Sequence, residues 1–108
     1  MVSQREAHDV VFRVVDAIRH PHGGYILRLR LDRGEAPSVR QVKGSEWVVF
    51  PEDERDRVRV RVDDFAAIGG EVSDARFKNI GRLDVHVSVV EEGEEPIDLQ
   101  WQMAGPLP

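Results

Sequence analysis

Residues 25–31, YILRLRL, decide the fold, because leucine and arginine alternate strictly from residue 27 to residue 31. In an extended chain successive side chains point to opposite faces of a sheet. The three leucines therefore share one face, and Arg28 and Arg30 share the other. One apolar face and one charged face predict a half-buried β-strand.

The same alternation recurs further along the chain, at residues 57–62 (RVRVRV), 83–89 (LDVHVSV) and 97–103 (IDLQWQM). Short runs of this kind, separated by turns rich in glycine, proline and acidic residues, are typical of antiparallel sheets with one wetted face. Residues 10–18 fit two patterns. As a strand they place Val10, Phe12, Val14 and Ile18 on one face. As a helix they place Val11, Val14, Val15 and Ile18 on one face. The density of β-branched residues favours the strand.

The spacing of these runs predicts an all-β domain, a small antiparallel barrel or sandwich of about seven strands. We expect one short helical turn near residues 63–69, because Asp63 could cap it and Gly69 could end it. Residues 1–108 are expected to form a single domain, with 104–108 as a flexible tail that cannot extend a central strand.

The last two alternating runs suggest a hairpin. If Val89 faces Ile97, the pairs that follow place Val87 opposite Leu99 and Val85 opposite Trp101. Every inward pair is then apolar, and a shift by one residue would bury Asp98. We therefore expect residues 83–89 to pair with residues 97–103.

Composition narrows the function classes. The chain has 108 residues, no cysteine and a net charge of −5, so disulfides and thiolate chemistry are excluded. Residues 1–62 carry 12 basic and 10 acidic side chains, whereas residues 63–108 carry 3 basic and 10 acidic ones. Nucleic acid is a possible partner but is not favoured by this charge. There is no apolar run of membrane-spanning length and no signal-peptide pattern, so we expect no membrane association and a cytoplasmic protein.

Two rows of arginines are the first candidate ligand site: Arg28 and Arg30, and Arg57, Arg59 and Arg61. Residues two apart on a strand lie about 7 Å apart on one face. If the rows share a sheet face, they would form a cationic strip for phosphates or carboxylates. The alternative is a solvated face on which acidic residues neutralise them.

Three histidines are the second candidate. His20 and His22 form an H-x-H pair and His86 lies in an alternating run, so together they could bind a divalent metal ion. The alternative is that they are exposed turn residues.

No phosphate-binding glycine loop and no nucleophile elbow occur, and we expect no cofactor. The leading hypothesis is a non-enzymatic binding or assembly module that contacts a protein partner or an anionic ligand. A small metal-dependent barrel enzyme that uses the histidines and a homo-oligomeric structural protein are the alternatives.

Residues 12–62 resemble the small β-barrel that follows the GTPase domain in translation factors. The resemblance is carried by an early hairpin, KGSEWVV at residues 43–49 and the arginine-valine run. It implies a barrel fold and no particular function.

Overall fold

In the part of the chain that the structure describes, six antiparallel strands close into a barrel. The computed structural model describes residues 3–66, 77–78 and 80–108. The elements within them are β1 (Val10–Arg19), β2 (Tyr25–Arg33), α1 (Val39–Val42), β3 (Glu46–Phe50), β4 (Val58–Phe65), β5 (Arg82–Glu91) and β6 (Gln102–Gly105). The strands pair in the order β1-β2-β5-β4-β3-β6, and β6 returns to β1. The all-β prediction of a small barrel is confirmed.

The inward face of each strand fills the barrel, as the alternation predicts. Leu29 on β2, Val60 on β4 and Val85 on β5 are fully buried, while the arginines between the valines of β4 are exposed. Trp47 packs against Phe12, with ring centres 5.4 Å apart, and its indole N–H donates to the Ser45 hydroxyl. Burying the large aromatic rings and the aliphatic side chains of several strands together supplies the main driving force for the fold.

A second, smaller apolar cluster lies outside the barrel and involves the end of the chain. Val11, Val48 and Phe50 point outward and are buried with Ala104, and Leu107 packs against them. The Leu107 amide also donates to the Glu46 carbonyl oxygen. The prediction that residues 104–108 cannot extend a central strand is wrong for Ala104 and Gly105, which belong to β6 between β1 and β3.

The helical turn predicted near residues 63–69 is wrong for residues 63–65, which belong to β4, and residues 67–69 lie outside the described residues. A helical turn that the sequence did not predict, α1, begins after Ser38. The Ser38 side chain accepts from the Gln41 amide and the Gln41 side chain accepts from the Ser38 amide. This reciprocal capping box is what starts the turn.

The predicted hairpin between residues 83–89 and 97–103 does not form. β5 pairs with β2 and β4, whereas β6 pairs with β1 and β3. The chain turns before β6, where Gln100 has a φ of 67° and the Trp101 amide donates to the Asp98 carbonyl oxygen. This turn leaves Leu99 half-exposed, although Trp101 is buried.

A β-bulge explains why one side chain on β1 faces the opposite way from the sequence prediction. Val10, Phe12 and Val14 face the core, as expected for a strand. The register against β2 shifts between Val14 and Asp16. An extra residue on one strand reverses the facing of everything that follows it. Ile18 therefore lies on the outer surface, 49% exposed, and the prediction that it faces inward is wrong.

Candidate functional site

The two predicted arginine rows lie on the same outer surface but do not adjoin. Arg28 and Arg30 are on β2, Arg59 and Arg61 are on β4, and β5 separates the two strands. Arg57 immediately precedes β4 and lines a shallow depression near the amino-terminal segment. The structure therefore does not assemble the five arginines into one strip.

Three of these arginines are neutralised by acidic neighbours. The Arg28 guanidinium lies 3.3 Å from the Asp84 carboxylate. Two further ion pairs complete this pattern, Arg59 with Glu46 at 2.6 Å and Arg61 with Asp63 at 3.2 Å. For these positions the structure matches the alternative in which acidic side chains balance a solvated face.

Arg30 has a different environment, because the residues opposite it on both neighbouring strands are also arginines. Its register partner on β1 is Arg13, and its register partner on β5 is Arg82. Adjacent strands lie about 4.8 Å apart, so the three backbone positions span roughly 10 Å. We call Arg13, Arg30 and Arg82 the arginine rung.

The rung is only weakly neutralised within the described part of the chain. Arg13 has its nearest guanidinium nitrogen 3.4 Å from Asp32 and also contacts the Gln100 side chain at 3.3 Å. Arg30 and Arg82 are both exposed, and neither forms an ion pair with any described residue. Like charges that face each other directly across strands are destabilising. The rung is thus a concentrated positive charge on an otherwise acidic protein.

Sequence reasoning found Arg30 but missed its two partners. Arg13 lies in the segment that could be strand or helix, and Arg82 begins a run in which it is the only basic residue. Neither has an arginine two positions away, so neither belongs to a visible row. Only the order of the strands brings them beside Arg30.

The three predicted histidines come together at the end of the barrel. The ring centre of His20 lies 4.6 Å from that of His86 and 5.6 Å from that of His22. They line a cleft of about 770 Å³ between the β1–β2 turn and the loop of residues 92–96. We call this the histidine cleft, and the loop of residues 92–96 the rim loop.

A close backbone contact fixes the β1–β2 turn that carries two of the histidines. The His20 amide donates to the Gly24 carbonyl oxygen, and the Gly23 amide donates to the His20 carbonyl oxygen. Gly24 has a φ of +74°, and a β-carbon there would lie 2.0 Å from the Val87 carbonyl oxygen. Only glycine allows this contact, which holds the turn against β5.

The rim loop is fixed by a carboxylate from the β3–β4 connection. Asp56 accepts hydrogen bonds from the backbone amides of Glu94 and Glu95. These hydrogen bonds hold the pKa of the Asp56 carboxyl below its usual range. Beyond the loop, the Ile97 amide donates to the Tyr25 hydroxyl at 3.3 Å, within the buried end of the barrel.

One acidic residue that lines the histidine cleft, Asp63, is held by neighbouring side chains. The Ser88 hydroxyl donates to Asp63, which lowers the pKa of that carboxyl, and Arg61 acts in the same direction. Among the described residues, no group of three or more histidine, aspartate or glutamate side chains is arranged to hold a metal ion. The three histidines are neighbours, but they do not form a ready three-ligand centre.

Comparison of the chain with protein-family models, curated proteins and solved structures found no significant match. No helix in the described ranges is long and apolar enough to cross a membrane. The arginine rung and the histidine cleft are therefore the two surfaces whose chemistry indicates a function.

Proposed function

We propose that this domain is a non-enzymatic binding module that holds an anionic ligand on the arginine rung. The observation that carries the proposal is the direct opposition of Arg30 and Arg82 across β2 and β5, with Arg13 on the next strand. Stable sheets avoid facing like charges. An oxyanion between the guanidinium groups would remove this repulsion.

The chemistry of arginine suits this role. A guanidinium is planar, stays charged at any physiological pH and donates paired hydrogen bonds that match carboxylate and phosphate oxygens. Arg30 and Arg82 are exposed, so an incoming anion would not have to displace a buried partner. Arg13 would have to release its long contacts with Asp32 and Gln100.

The surroundings restrict the size of the ligand. Asp32 and Asp84 lie two residues beyond Arg30 and Arg82 on their own strands, and they border the rung on the outer surface. The net charge of −5 also repels long polyanions. A short anion with two or three charged groups fits these surroundings better than a nucleic acid does.

Isothermal titration calorimetry with tripolyphosphate at low ionic strength tests the proposal. We expect saturable binding to the full chain, and weakening by at least about tenfold in the Arg30→Gln/Arg82→Gln double variant. A hydrogen bond to a charged group contributes roughly 1.5–3 kcal/mol, and about 1.4 kcal/mol corresponds to a tenfold change in affinity. The loss of two arginines should therefore weaken binding by more than about tenfold.

The Arg59→Gln/Arg61→Gln double variant is the matched control. It also removes two positive charges from the outer surface, but these belong to residues already paired with Glu46 and Asp63. We expect it to bind tripolyphosphate as the unmodified chain does. Equal weakening in both variants would show that the chain attracts anions only through its general charge, and the proposal would be wrong.

A further inference from the structure

We propose that His20 and His86 form a binding site for a borderline divalent transition-metal ion such as Zn²⁺, with His22 close enough to become a third ligand. This site is independent of the arginine rung. It uses the end of the barrel rather than its outer face, and a cation rather than an anion.

Two imidazoles that ligate one ion must be neighbours without being in full contact. With a Zn–N bond of about 2.1 Å and a tetrahedral angle, the two ring centres lie roughly 5 Å apart. The rings of His20 and His86 have this separation, at 4.6 Å, and His22 is 5.6 Å from His20. Imidazole nitrogen is a preferred donor for zinc, copper and nickel.

The positions of the two principal ligands are fixed by the fold. His86 lies on β5, where its register partner on β2 is Ile26. His20 is held at the start of the turn by hydrogen bonds with Gly23 and Gly24, and Gly24 itself rests on the backbone of Val87. The separation of the two histidines is thus set by backbone contacts on both sides.

Metal binding requires one local adjustment. Nδ1 of His20 accepts a hydrogen bond from the His22 amide at 3.2 Å, so Nε2 carries the proton when this ring is neutral. Binding through Nε2 moves that proton to Nδ1 and ends the exposed hydrogen bond. Water molecules, or His22 after rotation of its ring, would fill the remaining positions, because no three donors of the described chain are already gathered around one point.

The charges that face the cleft favour a cation. Three glutamates and one aspartate line it, opposed by a single lining arginine: Glu92, Glu94, Glu95, Asp63 and Arg19. Arg55 pairs with Glu95, and Arg61 with Asp63, from the edge of the cleft.

The test is calorimetric titration of the full chain with Zn²⁺, with Mg²⁺ as the comparison ion. We expect one Zn²⁺ per chain and no Mg²⁺ binding, because Mg²⁺ prefers oxygen ligands. The His20→Gln/His86→Gln double variant should bind Zn²⁺ at least tenfold more weakly. Even the loss of a residue that only orients a ligand typically costs about 10–100-fold in affinity.

His8→Gln supplies the matched control. His8 is the fourth histidine, and it lies before β1, at the other end of a ten-residue strand from His20. We expect this variant to bind Zn²⁺ normally. An absence of Zn²⁺ binding by the unmodified chain, or undiminished binding by the double variant, would overturn the proposal.

Ring resonances of the unmodified chain give a second readout that does not depend on any variant folding. In ¹⁵N-correlated spectra of the imidazoles, Zn²⁺ should shift the resonances of His20 and His86 and leave those of His8 in place. Shifts at His8 alone, or at all four histidines equally, would contradict the site.

Discussion

Replacing Gly24 by alanine should destabilise the domain by roughly 2–4 kcal/mol. A non-glycine residue at the positive φ of this position costs about 1–2 kcal/mol. The added β-carbon would also lie 2.0 Å from the Val87 carbonyl oxygen, far inside van der Waals contact. The turn or β5 must then move by more than 1 Å, and the loss of one or two strand hydrogen bonds adds about 1 kcal/mol each.

Gly44→Ala separates the two contributions. Gly44 has a similar φ of +82°, but nothing lies within 4 Å of the position a β-carbon would take. This variant should therefore lose only the conformational part, about 1–2 kcal/mol. Urea unfolding followed by circular dichroism gives both free energies. Equal destabilisation by the two substitutions would refute the seating of the β1–β2 turn on Val87, and with it the position of the histidine cleft.

Three further predictions concern charge and packing. A double-mutant cycle of Arg30→Gln and Arg82→Gln, measured by unfolding at low ionic strength, should reveal a repulsive coupling of about 0.2–1 kcal/mol that salt removes; zero coupling would mean that the two side chains do not face each other. Asp56→Asn should destabilise the domain at neutral pH. The depressed folded-state pKa of this carboxyl stabilises the fold above its unfolded value of about 3.9, and that contribution is lost as the pH falls through the folded value. The difference from the unmodified chain should therefore shrink in acid, and a difference that grew in acid would reverse the assigned sign. Leu29→Ala should lower the free energy of unfolding by about 2–5 kcal/mol because the Leu29 side chain is fully buried. Leu99→Ala should change it by less than about 0.5 kcal/mol because Leu99 is half-exposed. A larger loss for Leu99→Ala than for Leu29→Ala would mean that Leu99 lies in the core.

The facing of side chains could be predicted from the sequence because it depends on local geometry alone. In an extended chain the period is two wherever no bulge intervenes. Val60 is therefore buried and Arg59 exposed, as the alternation indicates. The facing of Ile18 was predicted wrongly because a bulge near Asp16 reverses it, and no residue type at that position marks a bulge reliably.

The pairing of strands could not be predicted, because the inward faces of all strands are apolar and therefore interchangeable. Residues 83–89 match residues 97–103 as well as they match the true neighbours of β5. The turn around Gln100, which separates the last segment from β5, leaves no distinctive sequence signal.

Predicting the two candidate sites from the sequence required the strand pairing to different degrees. His20 and His86 could be grouped by their chemistry before any strand order was known, and the adjacency of β2 and β5 then brings them together. The arginine rung could not be grouped in this way. Its three members lie on β1, β2 and β5, with Arg82 far along the chain from the other two, and arginines are common throughout the first half of the chain.

The most direct test of anion binding is to follow the side-chain Nε–H resonances of the arginines by ¹⁵N-correlated spectroscopy while tripolyphosphate is added. The resonances of Arg30 and Arg82 should shift together and saturate with one dissociation constant, and those of Arg59 and Arg61 should stay in place. Shifts of similar size at all the arginines, or none at Arg30 and Arg82, would contradict an anion site between β2 and β5.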